Sequence, residues 1–493
     1  MKIQKTALLA SAALAAATGL AAQANAAAFY LQEQSTKAEG RAFSGEVSEQ
    51  GAQQQWWNPA AIGGITSFQN YVGFTAILPT ADATNTGTTV HRPGFPLGSV
   101  PGLPALPGGL QYPSIASSVD PVGGNQNVHN MVNKGYLPNG GFAMPLPAGF
   151  AFGFTMTSPY SFTTNYGKDD WTRYSADKSR LRTFDFQPSL AWHHGGLSIG
   201  AAPNIEYVRA TLSNYLPDPL ANIQNSLTSS FTNLLGPQLG ALLGQTVGGP
   251  LSSALNTPDG HQYLKGSGWD VGYSFGFQYH NDKVDIGVSY KSAIKHHLKG
   301  HLIVDGLSGL LATQGANQRV DNANASFTTP WQVDFGMRYH LTPRLTLNGQ
   351  VNRFGWSKFD AIRLTNLGSN PDQQVNENYK NTWSFAGGFD YKVSKKLTWR
   401  GGVQRDLSPV VTGFRDPRVP DGNRWNFATG ASYEMTDHMG IDAAFNYDKI
   451  QSVKIDSTSY AYVGTPVETA IVNEGELHNA HATIFSLGGH LAF

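Results

Sequence analysis

The sequence predicts an all-β chain: a transmembrane barrel of fourteen antiparallel strands. Three observations carry this expectation. Apolar and polar residues alternate through most of the chain, and a period of two is the strand signature. Only 14% of the 493 residues are charged, yet nothing after the N-terminus has the long apolar run of a membrane helix. Short and long connections alternate, as they do where periplasmic turns face external loops.

The first element is an export signal over residues 1–26. Lys2 and Lys5 give a positive start, Ala7 to Ala22 is apolar, and Ala24-Asn25-Ala26 has the A-x-A form of a cleavage site. The mature chain is expected to begin near Ala27. Residues 27–64 follow as a small-residue-rich stretch without a clean period, and residues 65–493 are assigned to the barrel.

Ile65 to Leu78 is the first strand candidate. From Pro79 to about Gln126 the chain is rich in Pro, Gly, Ser and Asn and reads as a long loop that cannot pair in a sheet. Asn127 to Met144 and Phe150 to Ser158 are strands around a turn at Pro145–Gly149, and Ser158-Pro159 interrupts the second, because proline removes a ladder donor. Alternation then dominates. Phe184, Phe186, Pro188, Leu190 and Trp192 share one face, and Trp269, Val271, Tyr273, Phe275, Phe277 and Tyr279 share another. The intervening residues are largely Gly, Ser, Asn, Asp and Arg. Aromatic residues crowd the ends of the apolar face, which fits a lipid-facing exterior with girdles and a polar lumen. Further long loops are expected near 214–265, 304–324, 366–378 and 457–479. The last strand, Ala480 to Phe493, puts Phe485, Leu487, Leu491 and Phe493 on one face.

The loop from Tyr215 to Leu264 differs from the others. Leu227, Phe231, Leu234 and Leu235 recur at helical spacing, as do Leu239, Leu242 and Leu243, and Gly236-Pro237 divides the two runs. An apolar helical pair outside a barrel either packs against the mouth or offers a landing site for a hydrophobic ligand.

Other chemistry finds little support. Gly272-Tyr273-Ser274-Phe275-Gly276 matches a nucleophile elbow in letters, but it lies inside an alternating strand with no helix after it. His193-His194 and His296-His297 are adjacent pairs, so on strands their side chains point to opposite faces and share no metal. There is no cysteine, hence no disulfide and no thiolate site. Equal numbers of basic and acidic residues give no case for nucleic acid. No cofactor, no metal and no enzymatic activity are expected.

The stretch Gly40-Arg41-Ala42-Phe43-Ser44-Gly45, followed by Trp56-Trp57-Asn58-Pro59-Ala60-Ala61, resembles the N-terminal plug of the FadL family of outer-membrane transporters. Segments from Trp269 to Gly300, Phe354 to Phe359 and Gln451 to Ile455 are also similar to that family. Glu49 to Gln55 departs from it, replacing a stretch usually rich in Ala and Asp. The resemblance implies a plug or hatch over residues 27–64 inside the lumen, with Gly40, Arg41, Gly45, Asn58 and Pro59 as its motif. It implies import of long-chain fatty acids or, on the same scaffold, of aromatic or aliphatic hydrocarbons, by a monomer in the bacterial outer membrane whose partners are the hydrophobic ligand and membrane lipid. It places Arg363, and with it Arg209, where a ligand carboxylate would be met; an arginine there offers a bidentate partner, or else a structural pair with a lumen carboxylate. Phe29 would shift, and the ligand would leave sideways at the kink of Ser158-Pro159. A general porin needs an open polar channel, which a plug contradicts, and an outer-membrane lipase needs a nucleophile set that is not found.

Overall fold

A computed structural model describes residues 28–99, 111–221, 223–249, 252 and 257–493. The expected signal segment lies outside the described residues.

Among the described residues fourteen strands form one closed antiparallel barrel. They are β1 (Gln69–Asn85), β2 (Asn127–His129 and Gly135–Pro145), β3 (Phe150–Thr157 and Ser161–Asn165), β4 (Lys178–His194), β5 (Leu197–Leu216), β6 (Gly260–His280) and β7 (Val284–Lys291 and Ile294–Asp305). The second half comprises β8 (Gln318–Thr329 and Gln332–His340), β9 (Leu345–Phe354 and Ala361–Thr365), β10 (Gln373–Asn376 and Thr382–Lys392), β11 (Leu397–Asp406), β12 (Arg424–Thr436), β13 (Met439–Ile450 and Val453–Ile455) and β14 (Gly475–Ala492). Pairing of β14 with β1, from Gln69 opposite Ala492 to Asn85 opposite Gly475, closes the ring and leaves no edge. No helix among the described residues is long and apolar enough to cross a membrane.

Alternation sets the two surfaces. Phe275, Phe335, Phe385, Phe427 and Leu487 are exposed on the outside, while their neighbours Ser274, Asp334, Ser384, Asn426 and Ser486 are buried in the lumen. Aromatic residues mark both rims of the apolar band: Trp269, Trp383 and Trp425 above, Tyr279, Tyr339, Tyr391 and Trp399 below.

The strands are longer than the sequence pattern indicates. β1 ends at Asn85, not Leu78, so Pro79 lies within it. Pro79 is tolerated because β2 is broken there: pairing with β1 stops at Ile77–Gly135 and resumes at Asp82–His129. β5 reaches Leu216 and β6 starts at Gly260 because strands continue above the membrane, where their outer face turns polar and the alternation disappears. The stretch read as unable to pair is also corrected in part. Thr89–Arg92 and Ser118–Pro121 join Thr458–Ala461 and Thr469–Val472 in a small external sheet.

Candidate functional site

Residues 28–62 run inside the barrel and are almost wholly buried. They contain one helical turn, α1 (Thr36–Glu39), and three 3₁₀ turns. The family-like motif residues meet here for identifiable reasons. Gly40 lies against Gly430, so closely that a Cβ would stand 3.0 Å from the Gly430 Cα. Gly45 has φ 75°, which favours glycine. Arg41 is fully buried, with Nε 2.6 Å from Glu46 and Nη1 3.1 Å from Asp390 of β10; Glu49 completes its shell. Arg338 of β8 and Arg400 of β11 reach the same acidic cluster, at 3.1 Å to Glu49 and 2.6 Å to Asp390. Paired buried charges hold position, because removing one partner strands the other. Glu49, part of the run that departs from the family pattern, is thus a principal contact with the wall. Asn58 caps the turn at Pro59–Ile62 by accepting from the Ala60 amide, and its Nδ2 donates to the carbonyls of Val47 and Phe277. Pro59 takes the first position of that turn.

The opposite end of this segment meets the kink in β3. Between Thr157 and Ser161 the strand leaves its ladder with β2, whose pairing to β3 ends at Gly140–Met156 and returns only as a bridge between Val132 and Thr164. Backbone groups exposed by such a break must find partners in a membrane. Residues 29–34 supply them from inside. The Leu31 amide donates to the Pro159 carbonyl at 2.7 Å, and the Ser161 amide donates to the Phe29 carbonyl at 3.0 Å. Gln34 donates to the Ser158 carbonyl and accepts from the Ser158 amide, both at 3.0 Å. On the far side Thr183 of β4 fixes the kink through Tyr160 and Ser158. Leu31 packs with Leu137 of β2 and Ile77 of β1 behind the break.

Beside Phe29 lies an apolar cavity with an enclosed volume of about 60 Å³, so a larger ligand must displace the rings that close it. Phe29, Phe162, Leu181, Leu298, Phe327 and Phe359 line it. Phe29 also packs edge-on against Trp356 and Phe359, so the same ring closes the cavity and abuts the kink residue Tyr160. Glu377 and Arg418 border it as well, and the strands that carry the outward-facing Arg180 and Lys265 pass beside it.

Arg418 and Glu377 are the polar features that the sequence reading missed. Arg418 stands on the connection 407–423 between β11 and β12, which folds into the barrel. Arg415 ties that connection together by donating to the carbonyls of Asp421, Val410 and Lys454. The Arg418 Nη1 donates to Asp416 at 2.8 Å, while its Nε is buried without a partner. Glu377, above the Trp383 girdle and outside the membrane-spanning part of β10, is buried. Burial raises its carboxyl well above the usual range, Asp416 adds to this, and Arg418 opposes it. An acid whose ionisation is disfavoured by burial, beside a guanidinium with an unpartnered Nε, leaves positive charge for a bound anion. The signal was present in the sequence as Arg415-Asp416-Pro417-Arg418-Val419-Pro420-Asp421, opposite charges able to pair among themselves with few exposed apolar residues to mark a strand.

The expected arginines lie elsewhere. Ile362 borders the cavity and Leu364 is buried, so on β9 Arg363 faces outward; it is exposed and bound to Asp360 at 2.6 Å. The lumen position assigned to Arg363 is therefore corrected: the register is one residue off, and one residue reverses the face. Arg209 is corrected for the same reason, since on β5 the inward set is Val208 and Ala210.

The external helices are α2 (Ile223–Leu235) and α3 (Pro237–Leu243). Leu227 and Phe231 are fully buried with Phe95, Leu97 and Ile115, and Leu235 and Leu243 pack partly against this cluster. Leu234, Leu239 and Leu242 point away from it, 67%, 50% and 54% exposed. The helical pair therefore has a packing face and a free apolar face. Among the described residues no cluster of His, Cys, Asp and Glu is arranged to hold a metal. Ser274 of the elbow-like sequence is buried in mid-strand.

Residues 17–490 match the family described as Outer membrane protein transport protein (OMPP1/FadL/TodX). The long-chain fatty acid transport protein of Escherichia coli K12 is 26% identical over 470 residues, covering 93% of this chain and 96% of that one. Outer membrane protein P1 of Haemophilus influenzae is 24% identical over the whole of both chains. Among solved structures, a FadL homologue of Pseudomonas aeruginosa superposes with a TM-score of 0.73 at 22% identity, covering 95% of this chain and 100% of that one. The toluene transporter TodX of P. putida superposes at 0.59 with 14% identity, covering 92% and 97%.

Proposed function

The chain belongs to the OMPP1/FadL/TodX family of outer-membrane transporters of hydrophobic compounds, and from that premise we propose that it imports long-chain fatty acids by lateral release. The observation that carries this reading is the double role of the segment at Phe29–Gln34. It closes the apolar cavity and also satisfies the broken ladder at Ser158–Tyr160. A ligand that displaces Phe29 therefore acts on the seal of the wall.

The steps follow from the chemistry. A hydrophobic molecule is captured on Leu234, Leu239 and Leu242, where covering each side chain is worth about 1.5–3 kcal/mol at full burial. It moves into the cavity beneath, where the same apolar burial holds its tail. Arg418 meets its carboxylate, because a buried donor without a partner gains most from an anion. Shift of Phe29 withdraws residues 29–31 from the kink, and the ligand passes between β2 and β3 into the bilayer. Residues 28–62 act as a plug, anchored at Arg41, Glu49 and Asp390 while the first residues move.

The alternative ligand, an aromatic or aliphatic hydrocarbon, is supported by the apolar lining of the same cavity. The unpartnered Arg418 Nε favours the acid. Uptake of labelled oleate, an alkane, xylene and a terpene by cells with and without the protein separates the two. Oleate-selective uptake supports the proposal, and hydrocarbon uptake without oleate uptake rejects the fatty-acid assignment.

A further inference from the structure

The outer face of β4 to β7 carries a second feature that transport does not use. Phe184, Tyr207 and Trp269 lie opposite one another on β4, β5 and β6 and form the upper aromatic rim there. The next outward row is Arg182, Arg209 and Ser267, with Lys299 of β7 opposite Ser267. The row above is Arg180, Thr211 and Lys265. Five cations thus begin one outward position above the aromatic rim. Outward positions between this rim and the strand ends at Lys178, Ser213, Tyr263 and Ile303 hold no carboxylate.

Like charges directly opposite in a sheet repel, yet Arg182 and Arg209 face each other with nothing between them. Among the described residues these five side chains form no ion pair, and the Nε atoms of Arg180 and Arg182 are buried without a partner. Three arginines elsewhere on the rim have partners: Arg353 lies 4.7 Å over the Trp383 ring, Arg405 lies 5.1 Å over Trp425, and Arg363 holds Asp360. Guanidinium groups without carboxylate partners over an apolar band suit a ligand with an anionic head and acyl tails, and phosphate matches the guanidinium fork.

We propose that this face binds a phosphorylated, multiply acylated glycolipid of the outer leaflet. The phosphates lie across Arg180, Arg182, Arg209, Lys265 and Lys299, and the tails descend over Phe184, Tyr207 and Trp269. The height of the row sets the choice of partner: it lies just above the aromatic rim, which marks the external interface, where a lipid supplies phosphate and acyl chain together. A bound lipid would also brace β4, whose Thr183 fixes the kink from the side opposite the plug.

The test uses the full barrel in detergent, with native mass spectrometry counting bound lipid. The probe is a bis-phosphorylated, acylated glucosamine disaccharide, compared with its dephosphorylated form and with phosphatidylglycerol. The expected result is retention of the phosphorylated glycolipid and at least tenfold weaker binding in Arg180→Gln/Arg182→Gln/Arg209→Gln. Arg353→Gln/Arg405→Gln should bind like the wild type. If the triple variant loses the heat-dependent gel shift of a folded barrel, Lys265→Gln/Lys299→Gln takes its place with the same expectation. Undiminished binding in a folded variant overturns the proposal, as does equal retention of the dephosphorylated lipid or of phosphatidylglycerol.

Discussion

The amide of Leu31 donates a 2.7 Å hydrogen bond to the carbonyl of Pro159. One partner belongs to the segment inside the barrel and the other to the wall. The bond exists because Pro159 pulls β3 off its ladder, and its carbonyl then needs a donor that β2 no longer supplies. The Gln34 pair with Ser158 and the Phe29 bond to Ser161 repeat the relationship on either side.

Removing the Gln34 contacts should loosen this seal. Gln34→Leu leaves the buried Ser158 amide and carbonyl without their side-chain partners, at about 1–3 kcal/mol for each unsatisfied group. Amide hydrogen exchange at residues 29–34 and 158–161 should accelerate while the Arg41 cluster stays protected. Unchanged exchange at both would mean that the seal does not depend on Gln34.

Arg418 should distinguish acids from esters. Arg418→Gln removes a charge-assisted contact worth about 1.5–3 kcal/mol, so fatty-acid affinity should fall roughly ten- to a hundredfold. The methyl ester should bind the wild type more weakly and be less sensitive to the substitution. Arg363→Ala, outside the cavity, should leave both affinities unchanged. Equal losses for acid and ester in Arg418→Gln would reject the clamp.

Glu377 gives a pH signature. Burial holds its carboxyl pKa well above the usual range, so it ionises at higher pH than an exposed glutamate would. Once ionised it competes for Arg418 and repels a ligand carboxylate. Fatty-acid affinity should therefore decline toward alkaline pH in the wild type and stay flat in Glu377→Gln, while ester affinity stays flat in both. A parallel decline for acid in the two proteins would exclude Glu377 as the titrating group.

The two faces of α2 and α3 should separate in mutation. Leu234→Ser/Leu239→Ser/Leu242→Ser should slow capture and leave the fold intact. Phe231→Ala opens a buried site, at about 3–5 kcal/mol, and should destabilise the external cap. Normal uptake kinetics in the triple serine variant would leave these helices a packing role alone.

Much of this was legible in the chain. Period-two patterning gave the spanning strands through Phe184–Trp192 and Trp269–Tyr279 because the membrane imposes a sharp contrast between faces. Pro159 marked the kink because a missing amide proton is a local fact. The spacing of Leu227, Phe231, Leu234 and Leu235 gave the helix but not which face was free. What failed was register above the membrane. There the outer face turns polar, so Arg209 and Arg363 carry no local sign of facing out. Arg418 was hidden for another reason: its inward course is set by long-range bonds from Arg415 to Lys454 and from Thr164 to the Arg418 carbonyl.

The central claim is that residues 29–31 must leave the kink for ligand to pass. Tyr30 and Tyr160 form an antiparallel bridge across that contact, and the chain has no native cysteine. Opposed residues of such a bridge lie about 4.5–5.5 Å apart at Cα, within reach of a disulfide. Tyr30→Cys/Tyr160→Cys can therefore be locked by oxidation and released by reduction in one preparation. Labelled oleate uptake should be lost in the oxidised protein and return on reduction, with each single cysteine variant insensitive to oxidant. Uptake at the same rate in the fully cross-linked protein would contradict the account.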